Sequence, residues 1–352
     1  MVGHRGKLGV AIVGTGGIAV NTHMPGWQAL KGQKVEMVAS CDVVEERAQE
    51  AAAKFDVPHV FTDYRKALKM DEVDIVDVCT PNKFHKPITV AALKAGKHVI
   101  VEKPIAMTAA EARAMCKAAK KARKKLMVAQ SMRYSAQSQA MKEFADSGAM
   151  GRAYYGHATM LRRRGIPGWG VFTSKELQGG GPLIDIGVHV LDLTLWIMGF
   201  PEPATVSGVT FQELGTRKGI GGMGPWDHRN YTVEDHCAAL IRFKNGASVM
   251  LEASFALNIP ENNMNQVFVC GTKGGVSNSP LTFIREELGN LTASQPQYLP
   301  KVQSHAAEIA DFVDCIRKGT PSPVPGEQAL ITQRILNAIY QSAEEGAEVK
   351  VR

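Results

Sequence analysis

The sequence predicts an α/β protein that opens with a doubly wound parallel sheet and continues into a second α/β domain with an open, mostly antiparallel sheet. Three observations carry this. The chain has 352 residues, enough for about two domains. From Leu8 to about Ala129, short β-branched runs alternate with amphipathic helical stretches. Beyond that, apolar runs are separated by turn residues such as Asn245-Gly246, as in antiparallel sheets. Hydrophobic residues are 45% and charged residues 21%, which excludes a disordered or fibrous chain.

The first-domain strands are expected at Gly9–Val13, Val35–Ser40, His59–Phe61, Asp74–Cys79, His98–Glu102 and Leu126–Ala129. Helices are expected near Ile18–Leu30, Glu45–Phe55, Tyr64–Lys69, His85–Ala95 and Ala109–Lys124. Near-continuous apolar strands between helices mark a parallel sheet covered on both faces. The boundary is placed at 131/132, giving domains 1–131 and 132–352.

The loop after the first strand reads Gly14-Thr15-Gly16-Gly17-Ile18-Ala19, the pattern G-x-G-x-x-A between a strand and a helix. Gly14 permits a tight turn, Gly16 lacks a Cβ that would hold a pyrophosphate away, and Ala19 lets the helix pack on the strand. Asp42 ends the second strand about twenty residues on, where a carboxylate binds ribose hydroxyls and repels a 2′-phosphate. This points to a dinucleotide, with NAD preferred over NADP; Arg47 is the residue a 2′-phosphate would use. Cys79-Thr80-Pro81-Asn82 and Glu102-Lys103-Pro104 end the fourth and fifth strands, the edge at which open α/β sheets bind ligands. A surface ion pair is the bland alternative for Glu102 and Lys103.

In the second domain, Asp185 and His189 are spaced i, i+4, on one face of a helix starting near Gly181; Asp192 extends that face. Gly179–Gly181 leave room for a ligand to approach the backbone. A metal reading of this trio lacks a third neutral ligand at zinc-like spacing, so no metal is expected. In Arg162-Arg163-Arg164-Gly165-Ile166-Pro167-Gly168-Trp169, an arginine such as Arg163 and the Trp169 indole can engage a sugar, or belong to an ordinary surface loop. The glycine-rich stretch Leu214–Asn230 reads as a long loop, a lid or an intersubunit arm. Strands are expected at Tyr154–Leu161, Thr232–Phe243, Ser248–Leu257 and Gln266–Cys270, and structural helices near Ser304–Arg317 and Glu327–Ala343.

The formal charge is +7, with much of the excess in Lys117, Lys120, Lys121, Arg123, Lys124 and Lys125. That run reads as the polar face and C-terminal end of a helix; no interleaved aromatics suggest nucleic-acid binding. The six cysteines are dispersed without a Cys-x-x-Cys pair, so reduced, mostly buried thiols are expected. The most apolar stretch, Leu183–Phe200, carries Asp185, His189 and Asp192, against a membrane span. Met1 to Arg5 lead into a strand, not a cleavable signal. A cytoplasmic protein without membrane or nucleic-acid partners is expected.

Together these segments resemble the glucose–fructose oxidoreductase / inositol dehydrogenase (Gfo/Idh/MocA) family. The resemblance rests on the Gly14–Ala19 loop, Thr80-Pro81-Asn82 with His85, Ala95-Gly96-Lys97-His98-Val99, Glu102-Lys103-Pro104, Gly179 to Asp192, Gly271-Thr272-Lys273-Gly274-Gly275, and Gly326-Glu327-Gln328-Ala329-Leu330. It implies a Rossmann domain, a C-terminal domain with an open antiparallel sheet, and redox chemistry at a secondary carbon of a sugar or polyol. It places the catalytic set on Lys103, Asp185 and His189. The dinucleotide site then comprises Gly14, Thr15, Gly16, Gly17, Ile18, Asp42, Thr80, Pro81, Asn82, His85, Glu102, Lys103 and Arg133. Ser131 stands where many relatives carry Asn. The substrate set is Lys103, Arg163, Trp169, Asp185 and His189. In this reading His189 removes the hydroxyl proton, Lys103 stabilises alkoxide charge, and Asp185 holds a neighbouring hydroxyl or the imidazole. The free face of the second sheet is the expected surface for a homodimer or homotetramer. Two rival functions remain: glycoside cleavage through transient C3 oxidation with retained NAD, in which Tyr154 or Tyr155 supplies an acid or base, and a non-catalytic dinucleotide sensor.

Overall fold

The computed structural model describes residues 6–352; Met1 to Arg5, and the signal-segment reading that rests on them, lie outside the described residues. Contacts divide the chain into two compact units, Met1–Tyr134 with Val302–Leu330, and Ser135–Lys301 with Ile331–Arg352.

The first unit is built on six strands: β1 (Leu8–Val13), β2 (Val35–Cys41), β3 (His59–Phe61), β4 (Ile75–Val78), β5 (His98–Glu102) and β6 (Leu126–Ala129). All neighbours are parallel, in the order β3-β2-β1-β4-β5-β6. The order reverses between β1 and β4, so the loops after these strands flank the switch point where such sheets bind ligands. Boundaries fall within a residue or two of those expected, because strand and helix periods alternate cleanly here.

A single cut at 131/132 assigns the segment 302–330 to the second domain, but its contacts place it in the first unit. Ile309, Phe312, Val313 and Ile316 of helix Ser304–Lys318 are buried in the first core. Gly26, on helix Met24–Ala29, gives them room: a Cβ there would lie 2.8 Å from Ile309 Cδ1. Val128 N–H donates to the Val324 carbonyl at 3.1 Å, and Met127 bridges to Pro325. The late segment thus covers the edge at β6, which would otherwise expose unpaired backbone.

The second unit holds β7 (Ala153–Arg162), β8 (Pro203–Phe211), β9 (His236–Phe243), β10 (Ser248–Ser254), β11 (Asn263–Gly271), β12 (Gly274–Asn278), β13 (Leu281–Glu287), β14 (Asn290–Ser294) and β15 (Val349–Lys350). They form one sheet ordered β14-β13-β12-β11-β7-β10-β9-β8-β15, antiparallel except for the parallel pair β7–β10. Asn245-Gly246 forms the β9–β10 turn, with Gly246 at φ +83° and Asn245 Oδ1 accepting from Ala247 N–H. β9 starts at His236, later than expected, because Asp235 turns aside. Its carboxylate accepts the N–H groups of Leu214 (2.6 Å) and Gly215 (2.8 Å), pinning the start of the glycine-rich loop. The helical run Lys175–Ile197 is long and apolar enough to cross a membrane, but 83% of its most apolar window is buried inside the structure, as in a core helix.

Candidate active site

Gly14 turns the chain out of β1 with φ +89°. A Cβ there would lie 2.7 Å from the Cys79 carbonyl oxygen, so only glycine fits between the ends of β1 and β4. At Gly16 an added Cβ meets nothing within 4 Å, which leaves the loop open to a bulky group. Helical backbone runs from residue 17 and includes a π turn at Ala19–His23. Asp42 Oδ2 accepts the Thr15 N–H (2.9 Å) and hydroxyl (3.3 Å), while Oδ1 accepts Val44 N–H (2.9 Å). The carboxylate shapes the loop and keeps acceptor capacity on Oδ1. The buried Thr80 hydroxyl at the end of β4 has no hydrogen-bond partner.

His85 is fully buried, and its ring nitrogens lie 2.8 Å from the carbonyl oxygens of Pro104 and Thr80. It therefore sits between the loops after β4 and β5, and burial pushes its pKa down, toward the neutral ring that donates to only one of the two carbonyls. Arg133 is buried and donates to Gln328 Oε1 at 2.7 Å, tying the segment after β6 to the start of helix Gly326–Glu345. Glu102 is buried at the end of β5; its Oε2 accepts Lys103 N–H (3.1 Å) and its Oε1 lies 2.8 Å from His23 Nε2. Burial pushes the Glu102 carboxyl up, but His23 and the Lys103 charge outweigh it and hold it at about 2.

In the second unit, every residue from Gly181 to Leu195 is buried except Asp185 and His189, which are half-buried. The pair thus forms the accessible stripe of an otherwise closed helix. Asp192 is not on it: at 1% exposure it points into the core, because the π turn Leu183–Gly187 shifts the register of the turns beyond it. Of the three glycines before this helix, Gly180 and Gly181 serve packing, contrary to the expected role of admitting a ligand. A Cβ on Gly180 would lie 1.9 Å from the Tyr340 hydroxyl, and one on Gly181 2.3 Å from the Glu234 carbonyl oxygen. Glu234 is buried and accepts Gly181 N–H (2.9 Å), Leu183 N–H (3.1 Å) and the Tyr340 hydroxyl (2.8 Å), so it caps the helix start.

Of the three consecutive arginines, Arg162 bears on Asp185: burial lowers its pKa, while the Asp185 charge opposes this. Its guanidinium lies 5.7 Å from the Phe255 ring centroid and donates to the Gly165 carbonyl at 3.2 Å. Arg163 instead bonds the Pro260 carbonyl (2.9 Å) and Asn262, and Arg164 bonds Leu257 and Asn258. Trp169 is 56% exposed. The glycine-rich loop lines a cavity of about 900 Å³ with Arg163, Arg164, Arg217 and Trp226. Sequence reasoning left open which of the three arginines matters, and it missed Glu234 and His23. A readable signal for the last was Asp77, a carboxylate inside the apolar run Ile75-Val76-Asp77-Val78, which must find a buried partner.

Residues 8–130 match the family described as "Oxidoreductase family, NAD-binding Rossmann fold", and residues 142–351 match its C-terminal alpha/beta domain. The chain belongs to the Gfo/Idh/MocA family. It is 39% identical over 344 residues to D-glucoside 3-dehydrogenase of Escherichia coli (strain K12), covering 98% of this chain and 97% of that one. A structure of levoglucosan dehydrogenase with NADH and levoglucosan superposes with TM-score 0.84 at 25% identity, covering 98% of this chain and 99% of that one. The aldose-aldose oxidoreductase of Caulobacter crescentus superposes at 0.81 with 29% identity, over 98% and 99% of the two chains. As a Gfo/Idh/MocA oxidoreductase, the protein carries its NAD-binding Rossmann domain in residues 8–130. The open space over Gly16, the remaining Asp42 acceptor and the orphaned Thr80 hydroxyl fit a dinucleotide lying across β1 and β4.

Proposed function

We propose that this protein is an NAD-dependent carbohydrate dehydrogenase that interconverts a secondary alcohol and its ketone, with the C3 hydroxyl of a D-glucoside as the favoured position. The reaction class is carried by one observation, the Asp185–His189 stripe on an otherwise buried helix. The C3 position is supported by the activity for which the Escherichia coli relative is named. Bound NAD supplies the hydride acceptor. Gly14, Thr15, Gly16, Gly17 and Ile18 would hold its pyrophosphate, Asp42 its ribose, and Thr80, Pro81, Asn82, His85, Glu102 and Arg133 would shape the site around it. His189 would accept the hydroxyl proton as the secondary alcohol is oxidised to its ketone. Lys103 hydrogen-bonds the reacting oxygen and stabilises developing alkoxide charge. Asp185 orients the imidazole or a neighbouring hydroxyl, and Arg163 and Trp169 contribute to holding the sugar.

We also infer self-association through the nine-stranded sheet, whose strands expose Tyr154, Val209, Phe211 and Ile284. A cytoplasmic location fits six unpaired cysteines, five of them buried. The test is a panel of D-glucosides, free sugars and polyols with NAD and NADP, followed by nicotinamide absorbance and product analysis. NADH formation with a 3-keto glucoside is expected. No turnover across the panel in either direction overturns the reading, and free sugar released without net NADH assigns glycoside cleavage instead.

A further inference from the structure

Behind Glu102 lies a buried charge cluster that the proposed chemistry does not use. His23, on the π turn after the glycine loop, has no solvent exposure. Its Nδ1 lies 2.9 Å from Asp77 Oδ2 and its Nε2 2.8 Å from Glu102 Oε1. Asp77 is fully buried on β4 and also accepts the Trp27 indole N–H at 2.7 Å and the Cys79 thiol at 3.4 Å. An ionised carboxylate can only accept, so a ring bonded to one at each nitrogen must donate from both and be an imidazolium. Helix Ser304–Lys318 closes the cluster: the His305 ring centroid is 5.9 Å from that of His23, and the Glu308 carboxyl is buried with neither oxygen hydrogen-bonded. Burial pushes the Glu308 carboxyl well up.

We propose that His23 is a positioning residue: its Nε2–H fixes Glu102 Oε1, and the other Glu102 oxygen fixes the main-chain N–H of Lys103. The strand end that presents Lys103 is thereby held through one carboxylate, with Asp77 and Trp27 locking the ring behind it. An ion triad in a core adds little net stability over an apolar core of the same shape, which favours a geometric role. This inference rests on Lys103 acting in the proposed reaction, and its first test does not. At pH 8, ¹⁵N-histidine spectra of the whole protein should show both His23 nitrogens protonated. One unprotonated His23 nitrogen overturns the proposal. So does a stoichiometric transition metal in the purified protein, since His23, Asp77 and Cys79 bring three ligand atoms within 4.8 Å.

The second test uses two amides that each mimic one ring nitrogen. The His23→Gln amide reaches the Nε2 position and donates to Glu102; the His23→Asn amide reaches only the Nδ1 position and donates to Asp77. With the best panel substrate, the glutamine variant should keep kcat within about threefold. The asparagine variant should lose ~10- to 100-fold in kcat with KM and NAD affinity nearly unchanged, the cost of misplacing a reacting group by about 1 Å. Equal kcat in the two variants, or an asparagine variant better than the glutamine one, overturns the proposal. Should the asparagine variant not fold, Trp27→Phe loosens the same ring from behind and should lower kcat without changing KM; unchanged kcat there overturns it as well.

Discussion

At the scale of single residues, the site depends on carboxylates whose buried partners decide what they do. Asp42 serves the protein through Thr15 and Val44 and keeps acceptor capacity on Oδ1. Asp42→Ala should therefore both relax the preference for NAD over NADP and weaken NAD binding, because the glycine loop loses its anchor. Lys103→Met should lower kcat by ~10²- to 10³-fold, the usual effect of removing one group that stabilises oxyanion charge, with NAD affinity largely retained. Titration of NAD fluorescence quenching beside steady-state kinetics separates the two. A Lys103→Met variant with wild-type kcat would remove that residue from the reaction. His85 and Glu102 stand in motifs that sequence alone reads as ligand contacts, yet their hydrogen bonds go to protein groups. They set the shape of the loops after β4 and β5.

At the scale of elements, the two π turns are informative. One carries His23 and comes after the glycine loop; the other carries Asp185 and precedes His189. Each inserts a residue into a helical turn, which re-aims the side chains beyond it, and such insertions concentrate at functional sites. The second explains why Asp192 leaves the Asp185–His189 stripe that strict helical spacing assigns it to. The same helix depends on close backbone packing at its start. Gly181→Ala would drive a Cβ against the Glu234 carbonyl and disturb the cap that Glu234 provides. It should cost about 1–3 kcal/mol, read as a lower urea midpoint with unchanged slope. A wild-type midpoint would show that this backbone can shift freely.

For the molecule as a whole, burial of titratable groups sets the response to pH. His98 is held neutral at about 4 by burial and by Lys124 and Lys125, and its Nδ1 accepts Lys125 N–H at 3.0 Å. His85, His236 and His305 shift downward as well. Unfolded histidines protonate near 6.5, so the unfolded chain binds more protons below that pH and stability falls as pH drops from 6.5 toward 4. Glu102 adds a second loss as pH falls from 4.5 toward 2. His23 works in the opposite sense: its raised pKa contributes stability below 6.5 that is lost as pH rises through the folded value. Thermal melts should show a steady decline in Tm below pH 6.5, and His98→Asn should reduce its slope. An unchanged slope would show that His98 is not held neutral in the folded state.

How much of the molecule was legible in the chain depends on which forces are local. Strand–helix alternation, the Gly14–Ala19 loop, Asp42 and the i, i+4 pair Asp185 and His189 are written in short-range period and turn chemistry, so reading the residues recovers them. Strands β12, β13 and β14 escaped because they are short, glycine-bearing or largely exposed, which blurs their alternation. The attachment of 302–330 to the first unit, the His23–Asp77–Glu102 triad, and the packing role of Gly180 and Gly181 were decided by tertiary structure alone. Each depends on atoms brought together from positions 50 or more residues apart. What a buried carboxylate or a glycine does is set by the neighbour it meets in space, and no local pattern encodes that meeting.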